Sequence, residues 1–236
     1  MQYLKTSLLV TLSALFAVTT NAQTADEIIN KYLDAIGGKD NLAQVTSIHL
    51  KTSVAVMGND NPGETTILIG KAYRSESEFN GSKFIQVYNE TSGWTVNPMA
   101  GGGAETMPDG QYNNGKDNRF IGGALYNYAI NHVGKATLDG KDGNNYKITY
   151  TSPEGIATTF FIDAVAYLLT RMVSTAEMQG QQVEMNISLS DYTKVDGNIL
   201  LPFTTNIDFG NFAMTNTVKS VDINKPVEPG IFDMPK

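Results

Sequence analysis

The chain has no cysteine, two histidines and one tryptophan in 236 residues. The missing thiol excludes disulfides, cysteine nucleophiles, cysteine-held zinc and a lipid-modified cysteine, so stability must come from the core. His49 and His132 stand apart from other ligating residue types, which leaves no metal-ligand cluster. Basic residues are scarce as well: 17 Lys and Arg against 24 Asp and Glu give a formal net charge of −7, a poor match for nucleic acid. No G-x-S-x-G elbow is present. GQYNNGKD, Gly110 to Asp117, has the glycines and lysine of a phosphate loop, but Asp117 stands where Ser or Thr must hold magnesium. Asp139, Asp142, Asn144 and Asn145 lack the order of a calcium loop and read as a hairpin turn. The expectation is a protein that is not an enzyme and has no cofactor and no metal.

Long hydrophobic runs are missing too. The apolar run Leu8 to Val18 is shorter than the roughly 20 residues a membrane-spanning helix needs. Preceded by Lys5 and followed by the small-residue exit Thr20-Asn21-Ala22, it reads as a secretory signal peptide over residues 1–22, cut between Ala22 and Gln23. That predicts a periplasmic or secreted protein, not an integral membrane protein, with residues 23–236 as a single domain. An outer-membrane barrel is disfavoured because the chain ends in Met-Pro-Lys and not in an aromatic strand.

What is present is first a helix. Thr24-Ala25-Asp26-Glu27 has the form of a capping box, and Ala25, Ile28, Ile29, Tyr32, Leu33 and Ile36 follow at helical spacing before Gly37-Gly38 stops the pattern. From Thr46 the period becomes two: Ile48, Leu50, Thr52, Val54 and Val56 alternate with His49, Lys51, Ser53 and Ala55, and GNDNPGE (Gly58 to Glu64) reads as a turn. Further strands are predicted near 65–75, 83–89, 94–97, 146–151, 156–162, 167–174, 182–190 and 212–221, separated by SGW, DGKDGNN, SPEG, MQGQ and VDGN. VDGNILLPFTTNIDFG, Val195 to Gly210, is the clearest of the strands. Ile199, Leu201, Phe203, Thr205, Ile207 and Phe209 share one face of it.

This is a meander of antiparallel strands, mainly β with a few helices, as in a barrel or a strongly curved sheet. It is interrupted by a Gly-, Asn- and Asp-rich stretch, residues 99–118, read as a mobile loop. A glycine-weakened helix follows over Phe120 to His132, with Ile121, Ala124, Leu125, Tyr128 and Ala129 on one face and Asp117 as N-cap. With 10 Phe, 11 Tyr and 9 Met, the chain has ample apolar material for a core and for the wall of a ligand pocket.

Several stretches resemble the LolA/LolB-like outer-membrane lipoprotein-sorting family. EIINKYLDAIGGKDNLAQVTSIHL resembles its opening helix, double-glycine stop and first strand, and GSKFIQVYNETSGWTVNP its strand, glycine turn, Trp and later Pro. GKATLDGKDGNNYKITYTSPEGIATTFFIDAVAYLLTRM resembles its second-half hairpins, and DGNILLP and NKPVEPGIFDMP complete the likeness. The resemblance implies an unclosed antiparallel β-barrel over an apolar cavity, with the N-terminal helix and a mid-chain helical lid (loop and lid together, residues 99–133). It implies a periplasmic carrier for a lipid, an acylated protein or another amphiphile. The alternative on the same fold is a non-catalytic envelope module that binds a protein partner. The ligand-binding residues expected on this reading are Trp94, Leu125, Tyr128, Ile199, Leu201, Phe203, Ile207 and Phe209. The Arg-Pro pair of the family's lipoprotein carriers is not repeated: GKAYRSESEF has Arg74 without the proline, and an ion pair with Glu76 or Glu78 is the role expected for it.

Overall fold

A computed structural model describes residues 23–56, 58–79, 81–178 and 181–235. The signal peptide expected over residues 1–22 lies outside the described residues. Helix α1 (Ala25–Ala35) begins with the capping box: Thr24 Oγ1 accepts the Glu27 N–H at 3.2 Å, and Glu27 Oε2 accepts the Thr24 N–H at 3.3 Å. All six residues of its apolar stripe are buried. The helix stops because Gly37 and Gly38 turn the backbone to positive φ, and the Gly38 N–H returns to the Leu33 carbonyl at 2.9 Å. Gly37 is also required for packing. A Cβ there would stand 2.9 Å from Ile199 Cδ1, so the missing side chain lets Ile199 seat against the helix end. A short helix α2 (Lys39–Ala43), which the sequence pattern does not announce, follows at once.

Thirteen antiparallel strands form one sheet. They are β1 (Ser47–Val56), β2 (Asn59–Leu68), β3 (Ala72–Phe79), β4 (Ser82–Tyr88), β5 (Gly93–Val96), β6 (Ala104–Thr106), β7 (Lys135–Asp142), β8 (Asn145–Thr151), β9 (Ala157–Asp163), β10 (Leu169–Met178), β11 (Gln181–Lys194), β12 (Leu200–Asp208) and β13 (Ala213–Ile223). Each strand pairs with its sequence neighbour, giving one meander from β1 to β6 and another from β7 to β13. The β1–β13 ladder, from Ile48↔Ile223 to Val56↔Met214, joins the two. The sheet does not close, because β6 and β7 are its two edges. The expected architecture, an unclosed antiparallel barrel with few helices, is the one observed. The exposed edge β7 carries Lys135, Asp139, Lys141 and Asp142, charges of the kind that keep an edge from pairing with another chain.

Three readings of turns and loops need correction. GNDNPGE is not a turn, since β2 already begins at Asn59. Pro62 is tolerated because β2 pairs with β3 only from Gly63 onward, so the missing N–H leaves no ladder position empty on that side. DGKDGNN is mostly strand, with β7 running to Asp142 through a bulge between Leu138 and Gly140. Residues 99–118 are not one irregular loop. They contain a 3-10 turn (Pro98–Ala100), β6, helix α3 (Asp109–Gly115) and a second 3-10 turn (Lys116–Arg119).

The lid helix, α4, is shorter than expected (Gly123–Asn131). It begins at Gly122 in the left-handed region, and His132 ends it there as well. Asp117 does not cap it, because the second 3-10 turn places that carboxylate beside Asn127, from whose Nδ2 it accepts a hydrogen bond at 2.8 Å.

α1 and α4 lie on one face of the sheet, hereafter the inner face. They form the main core with Tyr146, Ile148 and Tyr150 of β8, Phe160 and Ile162 of β9, and Ile48 of β1. A smaller apolar cluster of Ala72, Val87, Trp94 and Phe232 belongs to the opposite, outer face of the first meander.

Candidate functional site

Residues directly opposite one another on paired strands share a face of a sheet. Following that rule across the ladders yields one continuous apolar row: Leu138, Ile148, Phe160, Met172, Ile187, Ile207, Met214 and Val56, contributed by β7 to β13 and then β1. Its β8–β9 part is sealed in the helix-covered core, Ile148 at 0% exposure and Phe160 at 4%. From Met172 to Val56 the side chains are half-buried. The inner face thus continues as an oily surface beyond the core that α1 and α4 fill.

On the first meander the inner face changes character. Leu50 is followed across the ladders by Thr65, Ser75, Gln86 and Thr95. A hydroxyl- and amide-bearing wall therefore faces the same side as the apolar row. Two polar atoms on the inner face, Tyr150 Oη and Asn216 Oδ1, are buried and have no hydrogen-bond partner among the described residues.

Seven of the eight residues expected to bind a ligand divide four ways. Phe203 and Ile207 are on the half-buried inner face of β12, and Leu201 lies against the helix-covered core. Phe209 is in the turn after β12 and stacks on Phe212 with ring centroids 4.6 Å apart. Leu125 and Ile199 are fully buried under α1 and α4 and serve packing. Tyr128 is half-buried on α4 and donates its hydroxyl to Asp26 of α1. That bond, with partial desolvation, pushes its pKa up to about 12.

Trp94 requires a correction. It sits across from Val87 on the outer face, with its ring in the cluster with Phe232, because the parity of β5 relative to β4 points it away from the inner face. The sequence reading missed Met172, Ile187 and Met214. Each stands in an alternating segment, but only the strand register places them in one row.

Polar contacts fix the linker between the two edge strands to the sheet. Lys116 Nζ pairs with Glu154 Oε1 at 2.5 Å in the β8–β9 turn, and this hydrogen bond holds the Glu154 carboxyl below the usual carboxylate range. Arg119, 8% exposed, donates from Nη1 to the Gly70 carbonyl at 3.2 Å and from Nε to Lys116 O at 2.8 Å. Gly115 passes so close to Tyr88 that a Cβ would lie 2.2 Å from its Cζ.

Burial pushes the Asp117 carboxyl upward, with the Asn127 bond acting against that shift. A carboxyl raised in the folded state stabilises the fold while protonated, and that contribution is lost as the pH rises through the shifted value. Asp117→Asn keeps an acceptor for Asn127 and carries no charge. It is expected to raise the thermal midpoint at pH 7 by about 2 °C, with the gain vanishing near about pH 3, as read by paired melting curves.

On the outer face, Arg74 pairs with Glu76 at 2.7 Å, the ion-pair role expected for it. His49 lies between Glu64 (Nε2 to Oε1, 2.9 Å) and Thr66 (Nδ1 to Oγ1, 3.0 Å). These residues floor a groove of about 750 Å³ beneath the C-terminal segment. Among the described residues no group of three or more His, Asp or Glu is placed to hold a metal ion, and no helix is long and apolar enough to cross a membrane.

No family model and no curated protein matches the sequence. Solved structures do match the fold. An outer membrane lipoprotein-sorting protein domain from Vibrio parahaemolyticus is 9% identical, with 89% of this chain and 96% of that chain covered and a TM-score of 0.56. A DUF1329 family protein from Desulfovibrio piger is 14% identical, with coverages of 90% and 98% and a TM-score of 0.57. A LolA superfamily protein from Nitrosomonas europaea is 10% identical, with coverages of 90% and 98% and a TM-score of 0.59. With one open antiparallel sheet carrying helices on a single face, and with near-complete alignment to these structures, the chain has the fold of the LolA superfamily.

Proposed function

We infer that this protein is a periplasmic carrier that holds an acyl chain, of a free lipid or of an acylated protein, along the open part of the inner face. The observation that carries the reading is the apolar row that continues from Ile148 and Phe160 in the core to the half-buried Met172, Ile187, Ile207, Met214 and Val56. The neighbouring wall of Thr65, Ser75, Gln86 and Thr95 and the unpartnered Asn216 Oδ1 offer contacts to a polar head, which suits an amphiphile better than a pure hydrocarbon. Magnitudes agree with a reversible carrier. At about 0.8 kcal/mol per buried methylene, a chain of about fourteen contributes on the order of 11 kcal/mol, set against association costs of roughly 4–15 kcal/mol. The likeness of fold to a lipoprotein-sorting domain supports the same class of cargo.

The test is native mass spectrometry of protein purified gently from periplasm, with solvent extraction of the bound fraction, followed by titration with a fluorescent fatty acid. The expected result is a co-purifying amphiphile and saturable uptake of the probe with one site. A clean apo mass together with no uptake would leave the protein as an envelope interaction module without cargo.

A further inference from the structure

Charge is divided unevenly between the two faces of the sheet. By the ladder rule, His49 and Lys51 of β1 and Asp60 and Glu64 of β2 take outer positions, out of phase with Leu50, Thr52, Val54 and Thr65. Arg74, Glu76 and Glu78 of β3 and Lys83 of β4 are outer as well, since Ser75 and Ser77 hold the inner positions between them. In β12 and β13, Asp208 and Asp222 are outer, and a bulge sets Lys219 beside Ser220 opposite Lys51. Among the described residues, the inner side of β1–β5, β12 and β13 therefore carries no Asp, Glu, Lys, Arg or His.

The inner side has neutral hydrogen-bonding groups where an ionic site would have charges. One inner position along from the apolar row, Met214 is followed by Asn216 on β13 and Ile207 by Thr205 on β12. Beyond them come Thr52 and Ser77, and then the wall of Thr65, Ser75, Gln86 and Thr95. An amphiphile whose chain lies along the apolar row thus meets this wall with its head. Thr52 and Thr65 are 7% and 8% exposed, and Asn216 Oδ1 is buried with no partner among the described residues, so a head seated here leaves bulk water. An ionised head pays a desolvation penalty that only a counter-charge offsets, and the wall supplies none. Glu105, opposite Thr95 on the edge strand β6, is exposed to water; it offers no buried partner to a cation and opposes an anion.

We propose, resting on the carrier reading above, that the head of the cargo is uncharged and bears hydroxyl or amide groups, so that the protein selects such an amphiphile over a fatty-acid anion, a phosphate-headed lipid or an amine. A hydroxyl or amide donor on the head satisfies Asn216 Oδ1, and the Thr and Ser hydroxyls of the wall both donate and accept, so they adapt to either head.

The test is displacement of a fluorescent fatty acid, below micelle-forming concentrations, by four competitors of one chain length: monolauroylglycerol, lauroylglycinamide, laurate and dodecylammonium. At pH 7 at least one of the two neutral compounds is expected to bind about tenfold or more tightly than either ion. The stronger of the two neutral compounds distinguishes an ester-linked glyceryl head from the amide-linked end of an acylated peptide. Ser75→Lys, which places a cation in the wall, is expected to narrow or reverse the gap between the neutral compounds and laurate. Laurate or dodecylammonium binding as tightly as the neutral compounds in the wild type would refute the selectivity and leave a carrier whose cargo keeps its head in water. An unchanged gap in a folded Ser75→Lys would remove the head from this wall. Displacement by none of the four would refute the carrier reading itself. Should Ser75→Lys fail to fold, the wild-type ratios decide.

Discussion

Ile207→Asp is expected to lower the affinity for a fluorescent fatty acid by on the order of a hundredfold while leaving the fold intact. Ile207 is in the middle of the half-buried part of the inner row, between Ile187 and Met214. A carboxylate at that position has water available in the empty protein, so it costs about 1 kcal/mol or less of stability. With an acyl chain in place that water is displaced, and an unpaired charge set against methylenes carries a desolvation penalty of several kcal/mol. The measurement is a binding titration beside a melting curve. Unchanged affinity in a folded variant would remove the acyl chain from this face and favour a partner bound elsewhere on the surface.

The converse result is expected at Leu33→Ala. Leu33 is fully buried on α1, in the core that covers β8 and β9. Truncating a fully buried leucine to alanine costs about 2–5 kcal/mol, through lost transfer energy and the cavity left behind. In a domain of this size that lowers the thermal midpoint by roughly 5–15 °C. Fatty-acid affinity, measured well below the transition, should change little. Together the two variants separate the end of the inner face that holds the fold from the end assigned to binding. A variant that lost both properties at either position would show that the two ends form one unit.

How much of this was legible in the sequence depends on the range of the interaction concerned. α1 is a local object: its cap, its stripe and its double-glycine stop all lie within residues 24–38, and all are found as read. The alternation within β1 and β12 is equally local, and it correctly sorted Ile48 from His49 and Phe203 from Thr204. Which face the helices cover is not local. Trp94 alternates as properly as Ile207 does, yet one parity leads to the outer cluster with Phe232 and the other to the inner row. Nor does alternation show that Ile199 would be sealed by the close approach of Gly37. β6, β7 and the start of β2 were lost because glycine, asparagine, aspartate and proline mark turns only where the chain is free to turn. In β7 and β2 those residues are held extended by ladders to β8 and β1. The candidate site belongs to this second class. Its eight-residue row is assembled by seven separate pairings, and no single segment of the chain contains more than one of its members.

The seam between β1 and β13 has a kinetic consequence. Every other strand pairing in the sheet joins sequence neighbours and closes a short loop, whereas Ile48 meets Ile223 only when nearly the whole described chain has been brought back on itself. Chain entropy opposes that long-range encounter far more than the formation of any hairpin. The two meanders should therefore acquire hydrogen-exchange protection early and independently during refolding. Of the amides from Leu50 to Val54, those that bond β13 should be protected last and those that bond β2 early.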